Sequence, residues 1–203
     1  MVRSESKRAV RTTLRARRRE RAAGRDLEAD AEAIAALALD LASGLELPLD
    51  PAPAPDGPGD GRALAPAQRP VVLSYESLPH EPPTGRLNAG LVAAGWQVLV
   101  PITLPDLDLD WCDLTDRVPL GTDAPARADL ALIPGLAVDH RGTRLGQGGG
   151  CYDRVLPRLR PGTPVAVLLH PGEHTSEALP CEPHDQPVPA VLTAEGITSS
   201  ARG

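Results

Sequence analysis

Hydrophobic and polar positions follow a helical period over the N-terminal part of this 203-residue chain. From residue 4 to about 23, basic residues recur every three or four positions. From about 26 to 43, apolar residues such as Ile34, Leu37 and Leu41 do the same. Because spacings of three and four place side chains on one face of a helix, the pattern predicts two helices.

The segment from 48 to 70 has no period and is rich in Pro and Gly. This composition is typical of a loop or linker rather than of a folded unit. We therefore expect a mobile loop here, within a single domain that spans residues 1–203.

Beyond residue 70, short runs of branched aliphatic residues alternate with segments of helical period. This alternation predicts an α/β fold: a three-layer α/β/α sandwich with a mainly parallel sheet, on which the basic N-terminal helix packs. The stretch 102–128 has neither pattern and is predicted to be a loop. The predicted strands are 71–75, 97–101, 130–134, 165–169 and 190–193, and the predicted helices are 84–95 and 152–159.

Ligands of open α/β sheets bind where the loops after the strands converge, here the loops after Tyr75, Pro101, Pro134 and Leu169. One of these loops leads into residues 144–154, RLGQGGGCYDR, with four glycines in five positions. Glycine lets backbone N–H groups approach an anion closely, and Arg offers forked donors to phosphate. The segment lacks the GK[ST] ending of a Walker A loop and the spacing of a Rossmann GxGxxG. It predicts either an anion site or a plain glycine-rich turn.

Charge is distributed unevenly along the chain. Residues 1–25 carry ten basic and two acidic residues, whereas the whole chain has a net charge of −6. A basic arm on an acidic body suits folding onto its own domain or onto an anionic ligand, and the body would repel nucleic acid. The low aromatic content, 2%, also disfavours a nucleic-acid-binding module that stacks bases. Lys7, in this arm, is the only lysine in the sequence.

The cysteines Cys112, Cys151 and Cys181 are far apart and show neither a disulfide framework nor zinc-ligand spacing. The basic N-terminus is not followed by an apolar signal core, and no run reaches the 18 or so apolar residues of a membrane span. We expect a soluble, cytoplasmic monomer with reduced thiols and with neither a membrane nor a nucleic-acid partner.

Residues 134–153 resemble the signature of the 5-formyltetrahydrofolate cyclo-ligase family, the 5,10-methenyltetrahydrofolate synthetases. The resemblance extends to nearly the whole chain except 48–70 and 102–128. The matching residues are Pro134-Gly-Leu-Ala-Val-Asp139, Gly142, Arg144-Leu-Gly146 and Gly148-x-Gly-x-Tyr-Asp153, with Lys7-Arg8-x-x-Arg11, Arg17, Glu81-x-x-Thr84 and Pro180-x-x-x-His184-Asp185 elsewhere.

The resemblance implies an enzyme that uses ATP and Mg²⁺ to convert 5-formyltetrahydrofolate to 5,10-methenyltetrahydrofolate. In this family the formyl oxygen attacks the γ-phosphate of ATP, N10 closes the ring on the activated carbon, and phosphate leaves. This chemistry needs alignment and charge stabilisation rather than a nucleophilic side chain.

Carried over position by position, the resemblance also implies the site residues. Arg144 and Tyr152 would be catalytic, and Asp153 and Asp185 would bind Mg²⁺. The reduced folate would be bound by Glu81, Gly149, Gly150 and Tyr152. ATP would be bound by Lys7, Arg8, Arg11, Arg144, Gly146, Gln147, Gly148, Gly149, Gly150, Cys151, Tyr152 and Asp153.

Four features depart from the family's pattern, and the first is that the stretch between Pro101 and Asp129 lacks the Glu-Pro that often precedes the signature strand. Gln147 stands where members often carry a basic or aromatic residue, and Cys151 replaces the first of a usual tyrosine pair. After the strand that ends at Leu169, the sequence His170-Pro-Gly-Glu173 replaces the familiar acidic/Gln turn. These departures leave an alternative open: a non-catalytic or altered-substrate homologue that binds folate or nucleotide.

Overall fold

The computed structural model describes residues 2–45, 69–182 and 185–200, with side chains from residue 7 onward. Within these ranges the chain forms a seven-stranded sheet, a three-stranded sheet and four α-helices. The helices are α1 Val2–Ala23, α2 Leu27–Ser43, α3 Gly85–Ala93 and α4 Cys151–Val155. The strands are β1 Val71–Leu73, β2 Gln97–Thr103, β3 Leu109–Asp113, β4 Leu130–Pro134, β5 Ala137–Asp139, β6 Arg144–Leu145, β7 Val165–Leu168, β8 His174–Thr175, β9 Ala190–Thr193 and β10 Gly196–Ser199.

The larger sheet has the order β10-β9-β7-β4-β1-β2-β3. Its five inner strands are parallel, and the two edge strands pair antiparallel. The predicted α/β fold with a mainly parallel sheet is therefore confirmed. The chain passes from β1 to β2 on one side and later adds β4 on the other side, so a crevice for ligands opens between the loops after β1 and β4.

Alternate residues of the inner strands enter two separate cores, because successive side chains of a strand point to opposite faces. On one face, Val72 and Leu130 pack with Ile34 of α2 and Leu87 of α3. On the other face, strand residues such as Ile133 pack with side chains that include Val155 of α4 and Ala124. The two covering layers differ: long helices cover one face, and a short helix with two 3₁₀ turns covers the other.

Helix α1 packs on the smaller sheet, which has the order β6-β5-β8. Val10 and Leu14 contact Ala137, Leu145 and Leu179. The N-terminal helix thus packs on the domain as expected, and its platform lies at the carboxyl edge of the larger sheet rather than on one of that sheet's faces. This position brings the basic residues of α1 to the edge where ligands bind in folds of this class.

The prediction of a loop over 102–128 was wrong, because β3 lies within it and pairs with β2. Leu109 and Trp111 are buried, while the intervening Asp110 accepts backbone hydrogen bonds from Trp111 and Gly121. Cys112 and Asp113 are buried as well, so the strand lacks the simple alternation that marks a strand in a sequence, and its Asp residues favoured the loop prediction. The strands of the smaller sheet and β10 were also not predicted.

The other differences are smaller. The predicted helix 152–159 is only α4 followed by a 3₁₀ turn from Leu156 to Arg158, and Pro157 explains its early end since proline breaks the helical hydrogen-bond ladder. Residues 48–68 of the predicted mobile loop lie outside the described residues. None of the described helices has the length and apolar character needed to cross a membrane.

Candidate functional site

A cavity of about 510 Å³ opens at the carboxyl edge of the larger sheet. The loops after β1 and β4, the end of β2, helix α1 and the glycine-rich segment contribute its lining. Residues 170–173, directly after Leu169, do not line it, whereas the later part of the same connection to β9 contributes Glu182 and Asp185. Lining residues used below are Lys7, Arg11, Tyr75, Leu78, Glu81, Arg144, Gly146, Gln147, Gly148, Gly149, Gly150, Cys151, Tyr152, Asp153, Glu182 and Asp185.

The turn between β5 and β6 delivers Arg144 to the cavity. Asp139 is fully buried there and accepts hydrogen bonds from the backbone N–H groups of Arg141, Thr143 and Leu179. Burial opposes ionisation, but these donors outweigh it and lower the pKa of Asp139. At Gly142 the φ angle is +80°, and a Cβ would lie 2.6 Å from a backbone oxygen, so only glycine fits. These signature residues therefore position Arg144 but do not themselves line the cavity.

Arg144 is held in place from two sides. Its Nη2 donates to Asp153 Oδ1 over 2.6 Å, and its Nη1 donates to the carbonyl of Pro134 over 3.3 Å. The guanidinium lies 5.8 Å from the centre of the Tyr152 ring. Its buried Nε has no hydrogen-bond partner among the described residues. The group is thus a fixed cation with a donor to spare, at the wall where the sequence predicted phosphate.

The chain has two tyrosines, and both line the cavity. The hydroxyls of Tyr75 and Tyr152 are buried and have no hydrogen-bond partner in the described part of the chain. Burial raises the pKa of both phenols; the charge of Glu81 adds to this at Tyr75, and the charge of Arg144 opposes it at Tyr152. Both are neutral donors at ordinary pH. Tyr75 was not predicted as a site residue, although the rarity of aromatic residues was an available signal.

Lys7 and Asp185 lie together, although they are at opposite ends of the chain. Lys7 Nζ is 2.7 Å from Asp185 Oδ2 and 3.1 Å from Glu182 Oε2. Burial alone would lower the pKa of Lys7, but the hydrogen bonds and charges of these carboxylates outweigh it and raise the pKa. Glu182 was not predicted; its place in the same turn as Asp185 is the only signal the sequence offered.

The remaining basic residues of α1 separate into those that face the domain and those that do not. Arg11 Nε donates to the carbonyl of Gly146 over 3.1 Å, and Arg15 Nε donates to Gln147 Oε1 over 3.0 Å. Arg8 is exposed and does not line the cavity. The structure therefore brings Lys7 and Arg11 to the predicted site and leaves Arg8 outside it.

Glu81 also lines the cavity and is 8% exposed. Its Oε2 accepts from the backbone N–H of Leu78 over 3.0 Å, and its Oε1 faces Gln147 Nε2 at 3.4 Å. Gln147 thus connects Arg15 of α1 with Glu81. At Gly148 the φ angle is +113°, which lets the backbone turn beneath the Arg11 side chain.

A family model described as the 5-formyltetrahydrofolate cyclo-ligase family matches residues 63–194. This is more than half of the chain and includes Glu81, the glycine-rich segment and Asp185. The chain belongs to the 5-formyltetrahydrofolate cyclo-ligase family. The resemblance predicted from the sequence is therefore confirmed, while the match leaves out α1 and its Lys7.

Individual relatives of this family agree with the match. The 5-formyltetrahydrofolate cyclo-ligase of Mycolicibacterium smegmatis is 33% identical over 141 residues, which are 60% of this chain and 72% of the relative. The enzyme of the same name from Escherichia coli K12 is 38% identical over 85 residues, 42% of this chain and 44% of the relative.

Two solved structures share the fold of this chain. A 5,10-methenyltetrahydrofolate synthetase from Mycoplasma pneumoniae superposes with a TM-score of 0.65 at 18% identity, over 93% of this chain and 98% of that one. The synthetase from Aquifex aeolicus gives 0.62 at 17% identity, over 96% and 94%. At these identities the likeness shows the fold alone.

Two carboxylates in the cyclo-ligase cavity fit the ligand chemistry of Mg²⁺. Asp153 is paired with Arg144, and Asp185 is paired with Lys7. No group of three His, Cys, Asp or Glu side chains in the described ranges is arranged to hold a metal. Mg²⁺ commonly takes one or two protein carboxylates and completes its shell with phosphate oxygens and water. His184, in the same C-terminal pattern, lies outside the described residues.

Proposed function

We propose that this chain converts 5-formyltetrahydrofolate to 5,10-methenyltetrahydrofolate and consumes ATP in doing so. The observation that carries the proposal is that one cavity is lined both by basic side chains and by a buried carboxylate. Lys7, Arg11 and Arg144 supply the positive charge, and Glu81 supplies the carboxylate. A transfer from nucleotide to folate requires both substrates side by side, and this arrangement provides for that.

The ion pairs of the cavity suit a nucleotide that arrives with a cation. Mg²⁺ would be held by Asp153, Asp185 and phosphate oxygens, and it would neutralise part of the phosphate charge. Lys7 and Arg144 would then exchange their carboxylate partners for phosphate oxygens. Every buried charge keeps a partner during this exchange, which avoids the large cost of leaving a buried ion unpaired.

Glu81 and Tyr152 suit the reduced folate. The Glu81 carboxylate can accept paired N–H bonds from a pterin ring, and its Oε2 is already oriented by the N–H of Leu78. The phenol of Tyr152 lies beside Arg144, where a hydroxyl could donate to the formyl oxygen. Gly149 and Gly150 also line the cavity, and without side chains they would let the substrate approach their backbone.

The chemistry then proceeds in two displacements. The formyl oxygen of the folate attacks the γ-phosphorus of ATP, and ADP leaves. N10 attacks the activated formyl carbon and loses its proton, and inorganic phosphate departs with the former formyl oxygen. Arg144 stabilises the charge of the transferring phosphoryl group from a position that the Pro134 carbonyl and the Tyr152 ring still support after Asp153 has left it. Neither displacement requires a covalent bond to the protein.

The test is a turnover assay with Mg·ATP and 5-formyltetrahydrofolate, in which the near-ultraviolet absorbance of the methenyl product is followed with ADP release. We expect equal amounts of both products. Arg144→Met should abolish the signal, and Arg160→Met, which removes an exposed arginine that pairs with Asp129, should not. Absence of product at high protein concentration, with folate binding intact by calorimetry, would favour the non-catalytic homologue.

A further inference from the structure

The Glu81 carboxylate is carried on a strained turn. The N–H of Glu81 donates to the carbonyl of Leu78 over 3.0 Å, Pro79 occupies the second position and His80 the third. The φ angle of His80 is +71°. This is the pattern of a type II turn, whose third position ordinarily holds glycine because a side chain there is strained.

His170, in the loop after β7, supports this turn from inside the protein. Its Nε2 lies 3.1 Å from the carbonyl oxygen of His80, and the side chain is 1% exposed. Because a carbonyl only accepts, the ring must carry its proton on Nε2. Burial lowers the pKa of His170, although the charges of Glu173 and Asp30 oppose this, so the ring stays neutral and keeps that donor.

His170 is itself fixed by the anchor of α1. Its backbone N–H donates to Glu173 Oε2 over 2.9 Å, and Glu173 Oε1 accepts from Arg18 Nε over 2.8 Å. Arg18 also donates to the carbonyl of Gly135 over 2.6 Å. A continuous line of buried hydrogen bonds therefore runs from the basic helix through His170 to the residue before Glu81.

We propose that His170 is a positioning residue for the folate, which acts by holding the strained Leu78–Glu81 turn so that the Glu81 carboxylate faces the cavity. This inference rests on the proposed function for the identity of the ligand. His170 lies in the His170–Glu173 turn, where this chain departs from the family's pattern. The support of the Leu78–Glu81 turn by His170 is therefore a feature of this sequence and not of the family's signature.

Two amide substitutions test the inference because they differ by one methylene. His170→Gln can place an N–H donor near the position of Nε2, whereas His170→Asn withdraws it by one bond. We expect Asn to raise the KM for 5-formyltetrahydrofolate about tenfold and to leave kcat and the KM for ATP within about twofold of the wild type, with Gln close to wild type. His174→Asn, at a half-buried histidine in β8 that does not line the cavity, is the matched control.

A second substitution tests whether the strain at His80 is the reason that the turn needs His170. His80→Gly can adopt the positive φ angle freely, so His170→Asn in that background should raise the folate KM by no more than about twofold. An equal effect of Asn in both backgrounds would overturn the strain argument. Equal KM values for the Asn, Gln and wild-type proteins would overturn the positioning role. A general defect in His170→Asn would overturn it too: a lower kcat, a higher KM for both substrates and a lower melting temperature.

One readout is independent of turnover. Amide hydrogen exchange of Leu78 and Glu81, measured by NMR, should be about ten times faster in His170→Asn than in His170→Gln. If the wild type forms no methenyl product but this exchange difference is found, the proposed function fails and the support of the turn by His170 stands. If product forms and exchange is equal, only the inference about His170 fails.

Discussion

Lys7 and Arg18 lie on the same face of α1, about three turns apart, and each pairs with a carboxylate from the C-terminal part of the chain. Their surroundings differ. Lys7 lines the cavity and makes one short contact to Asp185 and a longer one to Glu182. Arg18 lies outside the cavity, where both of its donating nitrogens contact the Glu173 carboxylate and one also reaches the carbonyl of Gly135.

The comparison shows that helical spacing predicts a shared face but not a shared role. Arg18 and Glu173 form a pair with two contacts, and each also bonds a buried backbone group, so neither can bind a ligand without breaking the anchor. Lys7 is a point charge with one principal partner, which it can exchange for a phosphate. One end of the basic face therefore holds the helix on the domain, and the other end lies at the cavity where we propose that the nucleotide binds.

Arg18→Met should give the largest effect. It leaves Glu173 buried without its principal cation, and breaking a buried ion pair in this way typically lowers the free energy of unfolding by about 3 kcal/mol. Urea unfolding followed by circular dichroism measures this change. Arg21→Met is the matched control, since Arg21 is part-exposed and lies 3.6 Å from Glu173, so the expected loss is below about 1 kcal/mol. Equal losses for the two variants would contradict the anchor role.

Lys7→Met should act on the nucleotide instead. We expect kcat/KM for ATP to fall about 100-fold while the Kd of 5-formyltetrahydrofolate is unchanged, because the proposed charge-assisted contact of Lys7 is with the phosphates of ATP and not with the folate. Steady-state kinetics and calorimetry measure the two quantities. Arg8→Met, at the neighbouring exposed position, should change neither by more than about twofold. An effect at Arg8 as large as at Lys7 would mean that α1 presents a different face to ATP.

The elements of this fold could be predicted where local sequence decides them. The spacing of Lys7, Arg11, Arg15 and Arg18 predicted their common face, and the aliphatic runs predicted the five parallel strands. Strand β3 was not predicted because its polar positions, Asp110 and Asp113, favour loops in isolation. In the fold they accept hydrogen bonds from backbone N–H groups and from the Gln97 side chain. Periodicity is a weaker signal when the exposed side of a strand carries turn-forming residues.

The site could be predicted from the sequence only at residues that belong to a motif of the family. The glycine-rich segment and Glu81 carry the family's pattern, and the structure brings both to one cavity. Tyr75 and Glu182 were not predicted, because their positions depend on how the chain folds over the sheet edge. The pairing of Lys7 with Asp185 is of the same kind: two residues assigned to different ligands turn out to neutralise each other.

Asp185 and Glu173, the carboxylates that pair with Lys7 and Arg18, should differ in role as the two cations do. Asp185→Asn should raise the Mg²⁺ concentration for half-maximal rate about tenfold, since it removes a negatively charged oxygen ligand. Glu173→Gln, at the anchoring end, should leave that concentration unchanged and lower stability. Titration of Mg²⁺ at saturating substrates separates the two. A Glu173→Gln variant with an altered Mg²⁺ requirement would contradict the division of α1 into two ends.

The smallest expected effect is a difference in pH dependence between the two ends. The folded pKa of Lys7 is raised above its unfolded value of about 10.4, so its stabilisation is fully present below that pH and is lost as pH rises through the folded pKa. Arginine stays protonated throughout this range. The stability difference between wild type and Lys7→Met, measured by urea unfolding from about pH 9 to 11.5, should therefore narrow above about pH 10.5, and that for Arg18→Met should not. Parallel curves for the two variants would show that Lys7, too, is held by its surroundings rather than by its charge.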